Sequence, residues 1–144
     1  MKGRIVCVLL ISFFLASLGG CAGSLKDYQA KSADEEAIKS VLLHWENSWN
    51  NGDAAGVLSL ISDEAQITYG YGGEKAIASK TEYAGIIQQR MKANPTVTVG
   101  LPEIKMTGEK AVATASLSTR GRPMSVTFEF ARTSGKWFVT RFTY

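Results

Sequence analysis

Residues 34–53 read DEEAIKSVLLHWENSWNNGD, and this stretch decides the fold. Ile38, Val41, Leu42, Trp45 and Trp49 recur at i, i+3, i+4, i+7 and i+11, which predicts one long amphipathic helix. Ser32 with Glu35 has the spacing of a capping box, and Asp34, Glu35 and Glu36 place negative charge against the positive end of the helix dipole. Asn51-Gly52 supplies the stop, with glycine able to take the left-handed conformation after the last turn. The stretch carries two of the three tryptophans and the only histidine, so any pocket in this protein is expected against this helix.

Downstream, Asp53 is placed to cap a second, shorter helix holding Val57, Leu58, Leu60 and Ile61, which Gly56 weakens by about 1 kcal/mol relative to alanine. Ser62-Asp63-Glu64 is read as its end, Ala65 to Tyr71 as a strand, and Gly70, Gly72 and Gly73 as a loop. Ser79 with Glu82 forms a second capping box, opening a helix with Tyr83, Ile86, Ile87, Arg90 and Met91 on one side and Asn94-Pro95 at its end. From Thr96 the hydrophobic period changes from 3.6 to 2. Four strands are predicted: Thr96 to Met106, Ala111 to Thr119, Met124 to Arg132 and Trp137 to Thr143, separated by short turns as in an antiparallel meander. Helices first and a long antiparallel run last make an α+β pattern, with helices on one face of a curved sheet.

Upstream lies a different kind of sequence. Met1-Lys2-Gly3-Arg4 is basic, Ile5 to Leu18 is an almost unbroken apolar run, and Gly19-Gly20-Cys21 follows. This is the layout of a secretory signal peptide, and the apolar run is shorter than the roughly 20 residues a spanning helix needs. Leu18-Gly19-Gly20-Cys21 resembles the lipobox of bacterial lipoproteins. The resemblance implies cleavage before Cys21, a lipidated Cys21 and stable anchoring through two or more acyl chains. With Ala22 rather than aspartate next, it implies the bacterial cell envelope, at the outer membrane if the source is Gram-negative. The chain therefore divides into a leader at 1–20, the lipidated cysteine with a flexible tether at 21–33, and one domain at 34–144. Ten or so flexible residues reach about 15 to 20 Å.

Cysteine and charge then exclude several classes. Cys7 leaves with the leader and Cys21 is consumed by lipid, so the mature domain has no disulfide, thiol nucleophile or cysteine metal site. Loss of Lys2 and Arg4 leaves 14 basic against 13 acidic residues, which argues against a nucleic-acid partner. A single histidine makes a zinc site unexpected, the glycines around Tyr71 do not form a phosphate-binding motif, and no cofactor is implied.

The helix with Trp45 and Trp49 running into Asn51-Gly52-Asp53, the Val57-Leu58-Ser59-Leu60 and Ser62-Asp63-Glu64-Ala65 segments, and the closing Gly135-Lys136-Trp137-Phe138-Val139 together resemble the nuclear transport factor 2-like superfamily. SnoaL-like proteins and ketosteroid isomerases are branches of it. The resemblance spans Asp34 to Tyr144 and implies a cone: a strongly curved, mainly antiparallel sheet wrapped around the first helix, as in the cystatin-like fold. Its open end often holds an apolar pocket, and members often dimerise through the sheet. Matched position by position, the isomerase oxyanion tyrosine falls on Trp45, the general-base aspartate on Tyr69, and the protonated aspartate near Thr127, with Glu129 the closest carboxyl. All three roles are altered. An indole is a weaker acid than a phenol, and a phenol with a pKa near 10 is a poor base.

These residues set the expectations for the site. Pocket-lining candidates are His44, Trp45, Trp49, Tyr69, Tyr83 and Phe128, and no residue is assigned a catalytic role. Tyr69, Tyr71 and the following glycines are a candidate lip. Charge is uneven, acidic from Asp34 to Glu64 and basic from Lys110 to Tyr144. That asymmetry reads as helix–sheet complementarity, or as a basic face carrying Arg120, Arg122, Arg132 and Arg141 toward an anionic partner. Three functions follow: a lipid-anchored binding module for a small apolar ligand or a partner protein; an enzyme using His44, Glu74 or Glu129 as general base; or a sheet-to-sheet homodimerisation module.

Overall fold

The computed structural model describes residues 23–71 and 74–144. Residues 1–22, where the expected leader and Cys21 fall, and the loop glycines Gly72 and Gly73 lie outside the described residues. Three helices precede or interrupt a seven-stranded sheet: α1 (Ala33–Asn50), α2 (Ala54–Ser59), β1 (Ile61–Tyr71), β2 (Glu74–Ser79), α3 (Lys80–Ala93), β3 (Val97–Val99), β4 (Glu103–Thr107), β5 (Lys110–Thr119), β6 (Arg122–Thr133) and β7 (Lys136–Thr143). The strand order is β2-β1-β7-β6-β5-β3, with β4 also pairing β5. Every pairing is antiparallel except β1 with β7. No described helix is long and apolar enough to cross a membrane.

Local chemistry sets the boundaries. Ser32 Oγ accepts the Glu35 N–H at 3.1 Å, but the Glu35 carboxylate reaches the Lys31 N–H at 2.8 Å rather than closing the box on Ser32. The box at Ser79 and Glu82 is complete. Gly52 after α1 takes φ +69° as anticipated. Arg120-Gly121 and Ser134-Gly135 each place two successive residues at positive φ, the geometry of the tight turns that match strand twist in two-residue hairpins.

Three segments depart from the sequence reading. Ile61 to Glu64, read as the end of α2 and a breaker, opens β1, because Val139 N–H donates to Leu60 O (2.9 Å) and recruits the segment to β7. Residues 74–79 form β2 although Lys75, Ala76 and Ala78 give little strand signal; pairing with β1 supplies what propensity does not. The run from Thr96 to Met106 is two strands. Val99 pairs Leu117 while Glu103 pairs Thr114, so this side advances four residues against three on β5, a one-residue bulge at Gly100-Leu101-Pro102. A side chain at Gly100 would collide with Ser116 Oγ, and Pro102 has no N–H to offer a ladder.

The segment before α1 packs against the domain. The sequence reading makes 21–33 a flexible tether, yet Leu25 within it is 1% exposed in the core and opens a turn of 3-10 helix through Asp27. Ser24 forms a bridge with Gly100, and Leu101 N–H donates to Gly23 O at 3.1 Å. Tyr28 O–H donates to Glu35 at 2.8 Å, and Lys39 Nζ to Tyr28 O at 2.8 Å. A single leucine among polar residues has no periodicity to read, but its full burial contributes about 2 kcal/mol.

The core lies between the inner face of the sheet and α1. Ala111, Ala113, Ala115 and Leu117 of β5, and Val126, Phe128 and Phe130 of β6, alternate inward and pack against Ile38, Leu42, Trp45 and Trp49. One edge of the sheet is closed by α1 itself. Asn50 accepts from Val97 N–H (2.8 Å) and donates to Val97 O (2.9 Å), and Glu46 accepts from Val99 N–H at 2.6 Å. These side chains serve β3 as a neighbouring strand would. The other edge, β2, has a strand on one side only.

Candidate binding site inside the curved sheet

The inner wall is aromatic because α1, β6 and the β7 end of the chain each contribute at the same level. Trp45 stacks obliquely on Trp49 with centroids 5.2 Å apart, meets Phe128 edge-on at 5.4 Å and lies 5.4 Å from Phe142. Phe128 sits 4.8 Å from Phe142, which sits 4.9 Å from Tyr144. Each such pair is worth about 0.5–1.5 kcal/mol beyond its area, so the wall is rigid. Trp49 Nε1 donates to Asn94 O at 2.8 Å, tying α1 to the end of α3.

Arg90 of α3 closes the open end. Its guanidinium lies 4.4 Å from the Tyr69 ring centroid and 5.6 Å from that of Tyr144, and Nη1 donates to the Tyr144 hydroxyl. Among the described residues, the space left between these rings is a cleft of about 20 Å³ bordered by Trp45, Trp49, Arg90, Met124, Phe142 and Tyr144, while a more open depression of about 340 Å³ lies outside it against Tyr69, Ile86, Gln89 and Arg90. The cleft has room for about one water molecule, against the roughly 300–1,000 Å³ of ordinary ligand pockets. Side chains fill the cone.

The six candidates separate accordingly. Trp45 and Trp49 border the cleft, and Phe128 is completely buried behind them. Tyr69 stands at the rim, half-buried under Arg90. Tyr83 is 1% exposed beneath Tyr69, and its hydroxyl has no hydrogen-bond partner among the described residues. Burial first, and then the neighbouring Tyr144, push that hydroxyl far above its ordinary pKa, while Arg90 pulls weakly the other way. His44 is exposed and does not border the cleft, because its offset from the apolar stripe turns it to the outer surface. The side chains of Tyr71 and Glu74 lie outside the described residues.

Among the general-base candidates, Glu129 fares no better than His44. Glu129 alternates with the inward Phe128 and Phe130 and pairs with Arg141 at 3.4 Å on the outer face. Thr127 occupies an outward position on the same strand. Sequence reasoning missed Arg90 as the plug and Glu46 as a buried carboxylate; both sit on helices beside apolar positions, where a charged residue signals no partner.

One part of the charge asymmetry is met within the molecule. Arg132 pairs with Asp34 (3.0 Å) and Glu109 (3.2 Å), and Asp34 also accepts from Trp137 Nε1 at 3.1 Å. Arg120 donates to Ala93 O at the end of α3, where a cation suits the helix dipole.

No family model and no curated protein matches this chain. Solved structures do. A nuclear transport factor 2-like protein of unknown function from Shewanella baltica superposes with a TM-score of 0.67 at 16% identity, covering 80% of this chain and 94% of that one. One with a cystatin-like fold from Novosphingobium aromaticivorans gives 0.62 at 18%, covering 76% and 79%. A candidate ketosteroid isomerase from Shewanella frigidimarina gives 0.61 at 23%, covering 74% and 93%. The fold is therefore the nuclear transport factor 2-like, cystatin-like one: helices followed by a large, curved, unclosed sheet.

Proposed function

We propose that this chain is a lipid-anchored bacterial envelope protein whose domain works without chemistry, by binding a partner protein. The observation that carries this reading is the filled cone. With about 20 Å³ of space at its open end, the interior offers no seat for a small apolar ligand. Glu129 also gives no support to an isomerase, since it pairs with Arg141 outside the cone, and the resemblance places Trp45 and Tyr69 where an isomerase has its acid and its base.

The open β2 edge is the surface on which the partner is placed. Its outer backbone groups, which no described strand pairs, can accept an extended segment by strand addition, and Ile77, 67% exposed, offers that segment an apolar contact. The anchor is Cys21, as its lipobox-like context implies.

The test replaces Ile77 by a photo-crosslinking amino acid in the full chain, in cells. A discrete protein adduct is expected; absence of any adduct overturns the partner reading. Cys21→Ser is expected to release the protein from membranes, and retention after an alkaline wash would contradict the anchor.

A further inference from the structure

Resting on the lipid anchor proposed above, the geometry points to a second use of the docked segment: it holds the sheet corner at Leu101 against the lipid surface, so the domain rides the membrane in one orientation. Cys21 is separated from the docked Gly23 by Ala22 alone. Two Cα–Cα steps give a reach of about 7–8 Å. The chain is fixed from Gly23 onward, because Gly23 O accepts the Leu101 N–H (3.1 Å), Ser24 bridges Gly100, and Leu25 is in the core. An acylated Cys21 therefore cannot sit far from Leu101, whereas the tether read from sequence would have let the domain turn freely.

The surface at that corner suits headgroups. Leu101 packs over Gly23 and is still 48% exposed, one of three large exposed apolar side chains among the described residues. The open trough beside it is lined mainly by uncharged residues such as Thr114, Ser116, Pro123 and Ser125. Its one acid, Glu103, is paired with Lys105 at 3.1 Å. Exposed Lys26 follows the buried Leu25 directly. The β2 edge lies at the opposite end of the strand order from β3, five strands away from the docked corner.

The mature chain has no cysteine besides Cys21, so single reporter cysteines are straightforward. The lipidated full-length protein is reconstituted into phosphatidylethanolamine–phosphatidylglycerol vesicles carrying nitroxide lipids. An environment-sensitive fluorophore is placed at Leu101→Cys or at Lys75→Cys on β2. Quenching several-fold stronger at 101 than at 75 is expected. A ten-residue Gly/Ser insertion after Ala22 leaves every folding contact intact and adds reach of about 15–20 Å; it is expected to abolish the contrast. Equal quenching at both sites in a protein whose intact mass carries the acyl groups would overturn the orientation and leave the anchor standing. A contrast that survives the insertion would also overturn it. An intact mass without acyl groups would remove the anchor, and the orientation with it.

Discussion

Tyr83 is the residue whose environment is least explained by folding alone. A buried hydroxyl without a partner costs about 1–3 kcal/mol, so Tyr83→Phe is expected to be neutral or stabilising by up to about 2 kcal/mol in urea unfolding. A loss above 1 kcal/mol would instead mean that the hydroxyl has a partner worth keeping. Gly56 gives the opposite surprise. Helix propensity alone predicts that Gly56→Ala gains about 1 kcal/mol. A Cβ there would meet Asp53 Oδ2 and Ser48 Oγ, and Asp53 Oδ1 is the N-cap acceptor for Gly56 N–H at 2.8 Å. The substitution is therefore expected to destabilise by about 1 kcal/mol through the damaged cap, read as a lower urea midpoint at unchanged slope. At this scale the sequence was informative about type and poor about direction. Trp45 and Trp49 declared themselves by helical spacing, while His44, adjacent in sequence, turned outward, and Arg90 became the plug only through ring contacts with Tyr69 and Tyr144 from distant strands.

At the scale of elements, helix ends were legible and sheet edges were not. Capping residues act within four positions, so Ser32, Asp53 and Ser79 could be read directly. Strand β2 and the docked segment are held by partners far away in sequence, and no local period records them. The β3 edge provides a test of that argument. Asn50→Ala removes both bonds to Val97 and is expected to cost about 1–2 kcal/mol, whereas the same change at Asn47, also exposed, is expected to stay within about 0.5 kcal/mol. Equal, small effects would mean that α1 does not serve as the missing strand. Acidity tests the docked segment. The Lys31 N–H and then the Tyr28 hydroxyl hold the Glu35 carboxyl below the usual range, and the Ser24 hydroxyl and N–H do the same for Asp27. Burial, and then Glu35, push Tyr28 up to about 12. A carboxyl whose folded pKa lies below its unfolded value stabilises fully above the unfolded value, about 4, and loses that contribution as pH falls through the folded one. Tm is therefore expected to be flat from neutrality to about pH 5 and to fall below about pH 4, less steeply in Glu35→Gln. An unchanged slope in that variant would remove Glu35 from the account.

For the whole molecule, the outline was legible because two periods and their order prescribe a curved sheet over an amphipathic helix. Whether the cone is open or filled was not, since it depends on whether Met124, Arg90 and Tyr144 meet across it. That question decides between a ligand carrier and an interaction module. Native mass spectrometry of the full-length protein, isolated from its own membranes in mild detergent, asks it most directly. The account predicts a mass equal to the mature chain with its acyl groups and nothing further bound within the fold. A stoichiometric additional mass in the small-molecule range, released on denaturation and absent when Leu117→Trp crowds the cone, would contradict it.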